Sequence, residues 1–465
     1  MTRLEELSEW IDSRRAQIGV IGLGYVGLPL ALEFAKAGFR VTGFELDEEK
    51  VRTINAGGSY IDDVSPDEVK AARDAGRLEA TLDYGALSRT DVINVCVPTP
   101  LTKTKDPDVS HIVSAVEEIR KRLRSGQLVI LGSTSYPGTT HELFVPLLEE
   151  SGLEVGVDFA VAFAPERIDP GNQKFPLRKV PKVVGGETPR CTALCARVFE
   201  AIFDTVVPVS SSQSAEMVKL LENTFRAINI GLVNEIALMC DRLGLDVWEV
   251  IEAAASKPYG FMKFEPGPGL GGHCIPVDPA YLAWKMKSLN FPARFIDTAT
   301  EINSHMPEHV ATKVGDLLNE DRIAVNGARI LILGVAYKAD VSDVRESPAL
   351  DIMALLEAKG AEIRYHDPCV PELRLGSRIV KSGGPHRGGD PLGRPGRHRH
   401  QPQHHRLREA GRGCPAHLRH PERHPERRSG KGEDPKTLGT AGSSARLLST
   451  AGAPSPILAS DFRHE

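Results

Sequence analysis

Residues 17–46 read QIGVIGLGYVGLPLALEFAKAGFRVTGFEL, and the order of apolar and glycine residues within them decides the fold. QIGVI is a β-branched apolar run, GLGYVG is a glycine turn, LPLALEFAKAG carries apolar residues at helical spacing, and FRVTGFEL is a second strand. The whole is a βαβ unit. Gly22 permits the tight turn, Gly24 lets backbone approach a pyrophosphate, and Gly27 allows close helix packing; the helix N-terminus offers unpaired N–H groups to the anion. Glu45 closes the second strand eighteen residues past Gly27, where an acid accepts hydrogen bonds from an adenosine ribose and favours NAD over NADP. The competing reading is a glycine turn that only packs.

Further strand-like runs follow at DVINVCV, QLVILGS and FAVAFAPE, separated by helical segments such as DVSHIVSAVEEIRKRLRSG. This alternation predicts an α/β protein whose N-terminal domain, residues 1–212, is a Rossmann-type doubly wound parallel sheet. From Gln213 to Leu243 apolar residues recur at helical spacing with no Pro and one interior Gly, which predicts a long helix at the start of a central helical domain, 213–312. A weaker strand-turn-helix-strand signal, ARILILGVAYK through AEIRYHDP, predicts the start of a second Rossmann-like domain, 313–375, left incomplete. Residues 376–465 show no strand or helix period and read as a basic, low-complexity, disordered tail.

A chain of 465 residues needs two or three domains and no disulfide staples. Its 41% hydrophobic and 26% charged residues and net charge of −5 look ordinary, yet the charge is divided. Residues 1–375 carry 40 Lys and Arg against 54 Asp and Glu, net −14, whereas residues 376–465 carry 17 against 8, net +9, with nine of the fifteen His. No apolar run approaches the roughly twenty residues of a membrane span. The charged N-terminus lacks a signal core, and seven scattered cysteines suit reduced thiols. The expectation is a cytoplasmic protein with no membrane contact.

GPGLGGHCIPVDP surrounds Cys274 with glycines and prolines. Most lone cysteines are buried small apolar residues, but glycines bring backbone close to a ligand, and a nearby cation would favour a nucleophilic thiolate. His273, and Cys191 with Cys195, lack the further ligands of a zinc site, so no metal is expected. Lys219 and Asn223 are i,i+4 on the long helix, either on a solvated face or, with Leu220, Leu221, Phe225 and Ile228 crowding round, in a cleft where a cation and an amide stabilise an oxyanion. Three loops at strand ends carry Thr99, Thr134 and Glu166; each is a ligand loop or a Pro-punctuated turn. Glu166 is a candidate base with a raised pKa, or the partner of Arg167 or Arg178 in a salt bridge.

In order along the chain, GLGYVGLPLA, CVPTPL, STSYPGTT, PERIDPGN, EMVKLLENTFRAINIGLVNE, PGPGLGGHCIPVDP and YKADVSDVRESPAL resemble the UDP-glucose/GDP-mannose dehydrogenase family over about residues 15–372. PERIDPGN with PGPGLGGHCIPVDPAYLAWK is most similar to the bacterial UDP-N-acetylglucosamine 6-dehydrogenases. The resemblance implies a four-electron oxidation of a sugar C6 alcohol to a carboxylate with two NAD in succession, through a thiohemiacetal and a thioester on Cys274. It implies that Lys219 and Asn223 stabilise oxyanions, that Asp278 and Thr134 position water and protons, and that Glu166 serves in hydrolysis. NAD would meet Gly22, Gly24, Tyr25, Val26, Gly27, Glu45, Lys50, Thr99, Thr134 and Arg345. The UDP-sugar would meet Glu166, Arg167, Lys219, Asn223, Gly271 and Lys338. The long helix suits the family's homodimer, and no nucleic-acid partner is implied.

Three departures stand out. Gly132 precedes the STSYPGTT loop where the family commonly has Glu, and Val277 stands where many UDP-glucose members have Lys, which favours the N-acetyl subgroup. The tail replaces the strands that would finish the third domain. Its Arg, Pro, Gly and His mixture is expected of GC-rich coding DNA read out of frame; a genuine basic arm is the alternative.

Overall fold

The computed structural model describes residues 2–383 except Asp62, Lys103, Lys105, 169–174 and His273, together with Ser455–Pro456. The expectations for His273, for the DPGN part of PERIDPGN and for most of the tail lie outside the described residues.

Eight strands form the first sheet: β1 Gln17–Ile21, β2 Arg40–Phe44, β3 Leu78–Thr81, β4 Val92–Val95, β5 Leu128–Leu131, β6 Ala160–Phe163, β7 Lys182–Gly186 and β8 Val206–Pro208. Their order is β3-β2-β1-β4-β5-β6-β7-β8. β4, β5 and β6 are buried at every position, so VINV, LVIL and AVAF read as continuous apolar runs with helices on both faces. One face packs Leu28, Phe34, Phe39 and Phe199, and the other packs Ile93, Ile112, Val116, Phe144 and Phe163.

The sheet departs from the expected all-parallel form at one edge. β6 and β7 pair antiparallel, and β8 follows β7 in parallel. Among the described residues only the short turn Leu177–Lys179 lies between β6 and β7, and without a crossover helix the chain returns beside its own strand. This return brings Lys182 back to the end of β6.

The long helix runs Ser212–Leu243, started by the Ser211 hydroxyl accepting from Ser214 N and stopped by Gly244 at φ +68°. A second long helix, Arg294–Glu320, packs along it. At their crossing a Cβ on Gly231 would lie 3.0 Å from Ala299 Cβ, which accounts for the single interior glycine. Asn234 Nδ2 donates to Asn303 Oδ1 at 2.8 Å and Asn234 Oδ1 accepts from Gly267 N at 2.8 Å, so this buried amide pair also ties down the start of the Cys274 loop. The division expected at residue 312 falls inside the second helix, which is continuous there.

The C-terminal part has β9 Arg329–Leu333, the helix Pro348–Ala358 and β10 Glu362–His366, with β9 and β10 parallel. The tail was expected to begin at 376, but β11 Glu372–Leu375 pairs antiparallel with β12 Arg378–Lys381 across that point. Val380 packs with the third core and Ser382 Oγ accepts from Asp367 N at 3.0 Å, so order extends to Gly383. β13 Ser455–Pro456 pairs in parallel with β9. Among the described residues no helix is long and apolar enough to cross a membrane.

Candidate functional site

The glycine turn lies where the strand order reverses, between β1 and β4. Gly22 has φ +87°, and a Cβ on it would meet Cys96 O at 2.6 Å; a Cβ on Gly27 would meet Gly22 O at 1.8 Å. Both are required by the chain itself. Gly24 differs, because among the described residues nothing lies within 4 Å of the place its Cβ would occupy. The following helix, Gly27–Lys36, has no side-chain cap from Val26, although Leu28 N already donates to Gly24 O at 3.2 Å and Pro29 carries no N–H, so it is the turn rather than the helix body that faces an anion. At the tip of β2, Glu45 accepts from Leu23 N at 3.1 Å and Leu46 N at 2.9 Å, with Lys50 Nζ 3.7 Å away. Tyr60, which the sequence reading missed, donates to Leu23 O at 2.6 Å and braces the turn, and Lys50 lies over its ring. An open cradle at Gly24, a helix start without a side-chain cap and an acid that keeps one acceptor position beside its three backbone hydrogen bonds fit NAD.

Thr99 is buried in the loop after β4, where Tyr281 donates its hydroxyl to Thr99 O at 2.8 Å and Pro100 O at 3.1 Å. Thr134 stands half-buried in the loop after β5. That loop is held by Glu216 of the long helix, which accepts from Gly138 N at 2.5 Å, Thr140 N at 2.8 Å and Thr140 Oγ1 at 2.6 Å. Burial pushes the Glu216 carboxyl up to about 7. A Cβ on Gly132 would sit 3.2 Å from Val95 O, so a larger residue there needs the strand ends to yield.

Glu166 follows β6. Its salt bridge runs to Lys182 Nζ at 3.0 Å, not to Arg167 or Arg178. Arg178 pairs with Asp204 at 2.9 Å, while Arg167 donates to Glu222 at 2.5 and 3.2 Å and to Pro181 O at 2.6 Å. The antiparallel return of β7, invisible to local pattern, decides this. Lys219 and Asn223 are both buried. Leu221 and Phe225, expected to crowd round them, are 58% and 45% exposed on the opposite face, so the cleft wall is Leu220 with Val277 and Tyr281.

The short helix Asp278–Ser288 begins directly after the Cys274 loop, and Asp278 N donates to Cys274 O at 2.8 Å. Asn223 Nδ2 donates to Asp278 Oδ2 at 2.5 Å. Burial raises the Asp278 carboxyl to about 6, against the pull of Lys219 and this hydrogen bond. Cys274 is half-buried. Burial and the Asp278 charge raise its thiol pKa, outweighing Lys219, Arg345 and Arg226; the nearby cations expected to favour a thiolate are present but do not prevail.

The glycines before Cys274 also have an internal purpose. A Cβ on Gly271 would lie 2.7 Å from Tyr337 Cβ, and Gly272, at φ +84°, would press on the Tyr337 ring. Gly272 N donates to Arg345 O at 3.1 Å. The loop is thus seated on the segment after β9 that carries Lys338 and Arg345. Arg345 forms an ion pair with Asp343 at 2.6 Å and stacks over the Tyr25 ring at 5.2 Å, so glycine turn, Cys274 loop and C-terminal segment meet. Lys338 is half-buried in the same segment.

With this geometry in place, comparison with known proteins gives three family matches: UDP-glucose/GDP-mannose dehydrogenase family, NAD binding domain, over residues 16–203; central domain over 213–305; and UDP binding domain over 331–382. A UDP-N-acetyl-D-glucosamine 6-dehydrogenase of Pseudomonas aeruginosa is 37% identical over 356 residues, 76% of this chain and 83% of that protein. A UDP-N-acetyl-D-mannosamine dehydrogenase of Pyrococcus horikoshii is 37% identical over 76% of this chain and 84% of its own. Among solved structures, a UDP-D-ManNAc dehydrogenase from Pyrococcus horikoshii superposes with a TM-score of 0.73 at 36% identity, covering 79% of this chain and 85% of that one.

Proposed function

The chain belongs to the UDP-glucose/GDP-mannose dehydrogenase family and is an NAD-dependent nucleotide-sugar dehydrogenase, and on that premise we propose that it oxidises C6 of UDP-N-acetylglucosamine to the carboxylate through a thioester on Cys274. The observation that carries the reading is that Asp278, which opens the helix after Cys274 and donates its N–H to Cys274 O, is hydrogen-bonded to Asn223 of the long helix, one turn from Lys219. Val277 in place of Lys and the PERIDPGN motif support the N-acetyl sugar. UDP-N-acetylmannosamine is the second reading, favoured by the equally similar Pyrococcus horikoshii relative.

NAD, held at the Gly22–Gly27 turn with Glu45 and Lys50, would supply the hydride acceptor for both oxidation stages. Lys219 and Asn223 hold the C6 oxygen as negative charge develops on it. Cys274, kept as a thiol by burial and by Asp278, adds its sulfur to the C6 aldehyde while its proton passes to the Asp278 carboxylate, giving the thiohemiacetal as its oxyanion. After the second oxidation, water attacks the thioester carbon, the C–S bond breaks, and Glu166 takes the water proton with Thr134 helping to orient the water. Lys338 meets the nucleotide phosphates as a point charge. Arg167, gripping Glu222 beside Asn223, would meet the UDP-sugar. The enzyme works as a homodimer in the cytoplasm, a compartment that suits thiols such as Cys191 and Cys195 in the reduced state.

Counting NADH per sugar with purified protein, NAD and UDP-N-acetylglucosamine tests this. Two per sugar is expected. One would indicate a single-step dehydrogenase that does not use Cys274, and none would indicate an NAD-binding relative disabled by its unfinished third domain.

A further inference from the structure

We propose that Lys182 is the positioning residue that orients Glu166 as the base, an inference that rests on the hydrolytic reading of Glu166 above. Lys182 opens β7, a strand buried at every position, and its side chain is only 3% exposed. A buried ammonium is retained only where it is well paired. Here Nζ donates to Glu166 Oε2 at 3.0 Å and to Pro165 O at 2.8 Å, and lies 5.0 and 5.4 Å from the ring centroids of Phe199 and Phe203.

The other carboxylate oxygen, Oε1, accepts from Arg167 N at 2.8 Å and Ile168 N at 2.9 Å. A carboxylate has about four acceptor positions. Three are taken, and the fourth, on Oε2 beside the ammonium, is where a water would be gripped. Deprotonated Glu166 accepts that water's proton as the oxygen bonds to the thioester carbon and the C–S bond breaks.

The surrounding groups leave this task to Lys182. Arg167 is engaged with Glu222 and Pro181 O. Cys96, at the end of β4, is pushed up to about 12 by burial, and burial also keeps Cys195 a neutral thiol. Removing the ammonium would leave a buried carboxylate that gains a proton in preference to charge.

The test compares Lys182→Met, Lys182→Arg, Glu166→Gln and the double Lys182→Met/Glu166→Gln variant by single-turnover NADH release and acid formation against pH. Lys182→Met should release its first NADH normally, slow acid formation at pH 7 by about 100-fold, and move the acid limb of that step upward; Lys182→Arg should recover most of the rate. The double variant should be no slower than Glu166→Gln, because Lys182 acts through Glu166. An unmoved acid limb, or a double variant with a further loss, overturns the inference. Should Lys182→Met fail to fold, the double variant, which buries no lone charge, still gives the deciding comparison. Parent-rate hydrolysis by Glu166→Gln would instead sink the reading of Glu166 itself.

Discussion

Asn223 donates to Asp278 Oδ2 at 2.5 Å with both residues buried, and this contact joins the long helix to the start of the helix that follows Cys274. The Asp278 carboxyl, ordinarily near 3.8, stands at about 6 because burial outweighs Lys219 and Asn223. Between those values the folded chain holds a proton that the unfolded chain has released, so stability falls as pH rises through the interval. The difference amounts to about 3 kcal/mol. Asp278→Asn is therefore expected to be more heat-resistant than the parent at pH 8, to lose that advantage towards pH 4, and to be inactive. Scanning calorimetry at both pH values checks it; an advantage equal at both would contradict the assignment.

Cys274 is a restrained nucleophile. Its thiol is raised by burial first and by the Asp278 charge second, with Lys219 pulling the other way. Alkylation by iodoacetamide at pH 7.5, followed at this cysteine by peptide mass spectrometry, should be slow in the parent, faster in Asp278→Asn and slower in Lys219→Met. Cys274→Ser should form no acid by way of a thioester, and wild-type acid production by it would end the nucleophile role.

The βαβ start was legible because turn, spacing and apolar period are all local, and Gly22 and Gly27 serve the chain as their positions suggested. Lys219 and Asn223 were legible as a pair for the same reason. The sense of the helix face was not: Leu221 and Phe225 adjoin the pair in sequence yet point outward, since the cleft is defined by Val277 and Tyr281 of another element packing on Leu220. Glu216, Glu222, Tyr281 and Lys182 went unread because their partners come from other elements. A lone Lys opening the apolar strand KVVGG was the one local sign available.

The glycines divide into two kinds that substitution can separate. Gly24→Ala meets nothing within 4 Å among the described residues, so its melting temperature should match the parent while its KM for NAD rises. Gly271→Ala drives a Cβ to 2.7 Å from Tyr337 Cβ and 3.0 Å from Glu346 O, neither of which is a flexible side-chain end. It should cost about 1–3 kcal/mol of stability and reduce kcat by misplacing Cys274. Equal melting temperatures for the two variants would refute the distinction.

The family match to the UDP binding domain stops at residue 382, close to where the composition turns basic. If the remainder is read out of frame, resequencing the coding DNA near codon 383 should reveal a one- or two-base shift whose correction restores alternating strand-like sequence. A clean read with no such frame would leave the basic arm as a genuine feature.

Along the long helix, Met217, Leu221, Phe225, Leu232, Met239 and Leu243 are 39–70% exposed. Their spacing of four and seven residues lays them along one stripe, opposite the buried Lys219 and Asn223. A run of this length is long for an uncovered surface, and a second copy related by a two-fold axis would cover it with itself. Leu221→Glu places like charges opposite each other in such a pair and leaves the cleft face untouched. The parent should sediment as a dimer and the variant as a monomer at micromolar concentration, with its NAD affinity retained. A variant that still sediments as a dimer would move the interface to another surface.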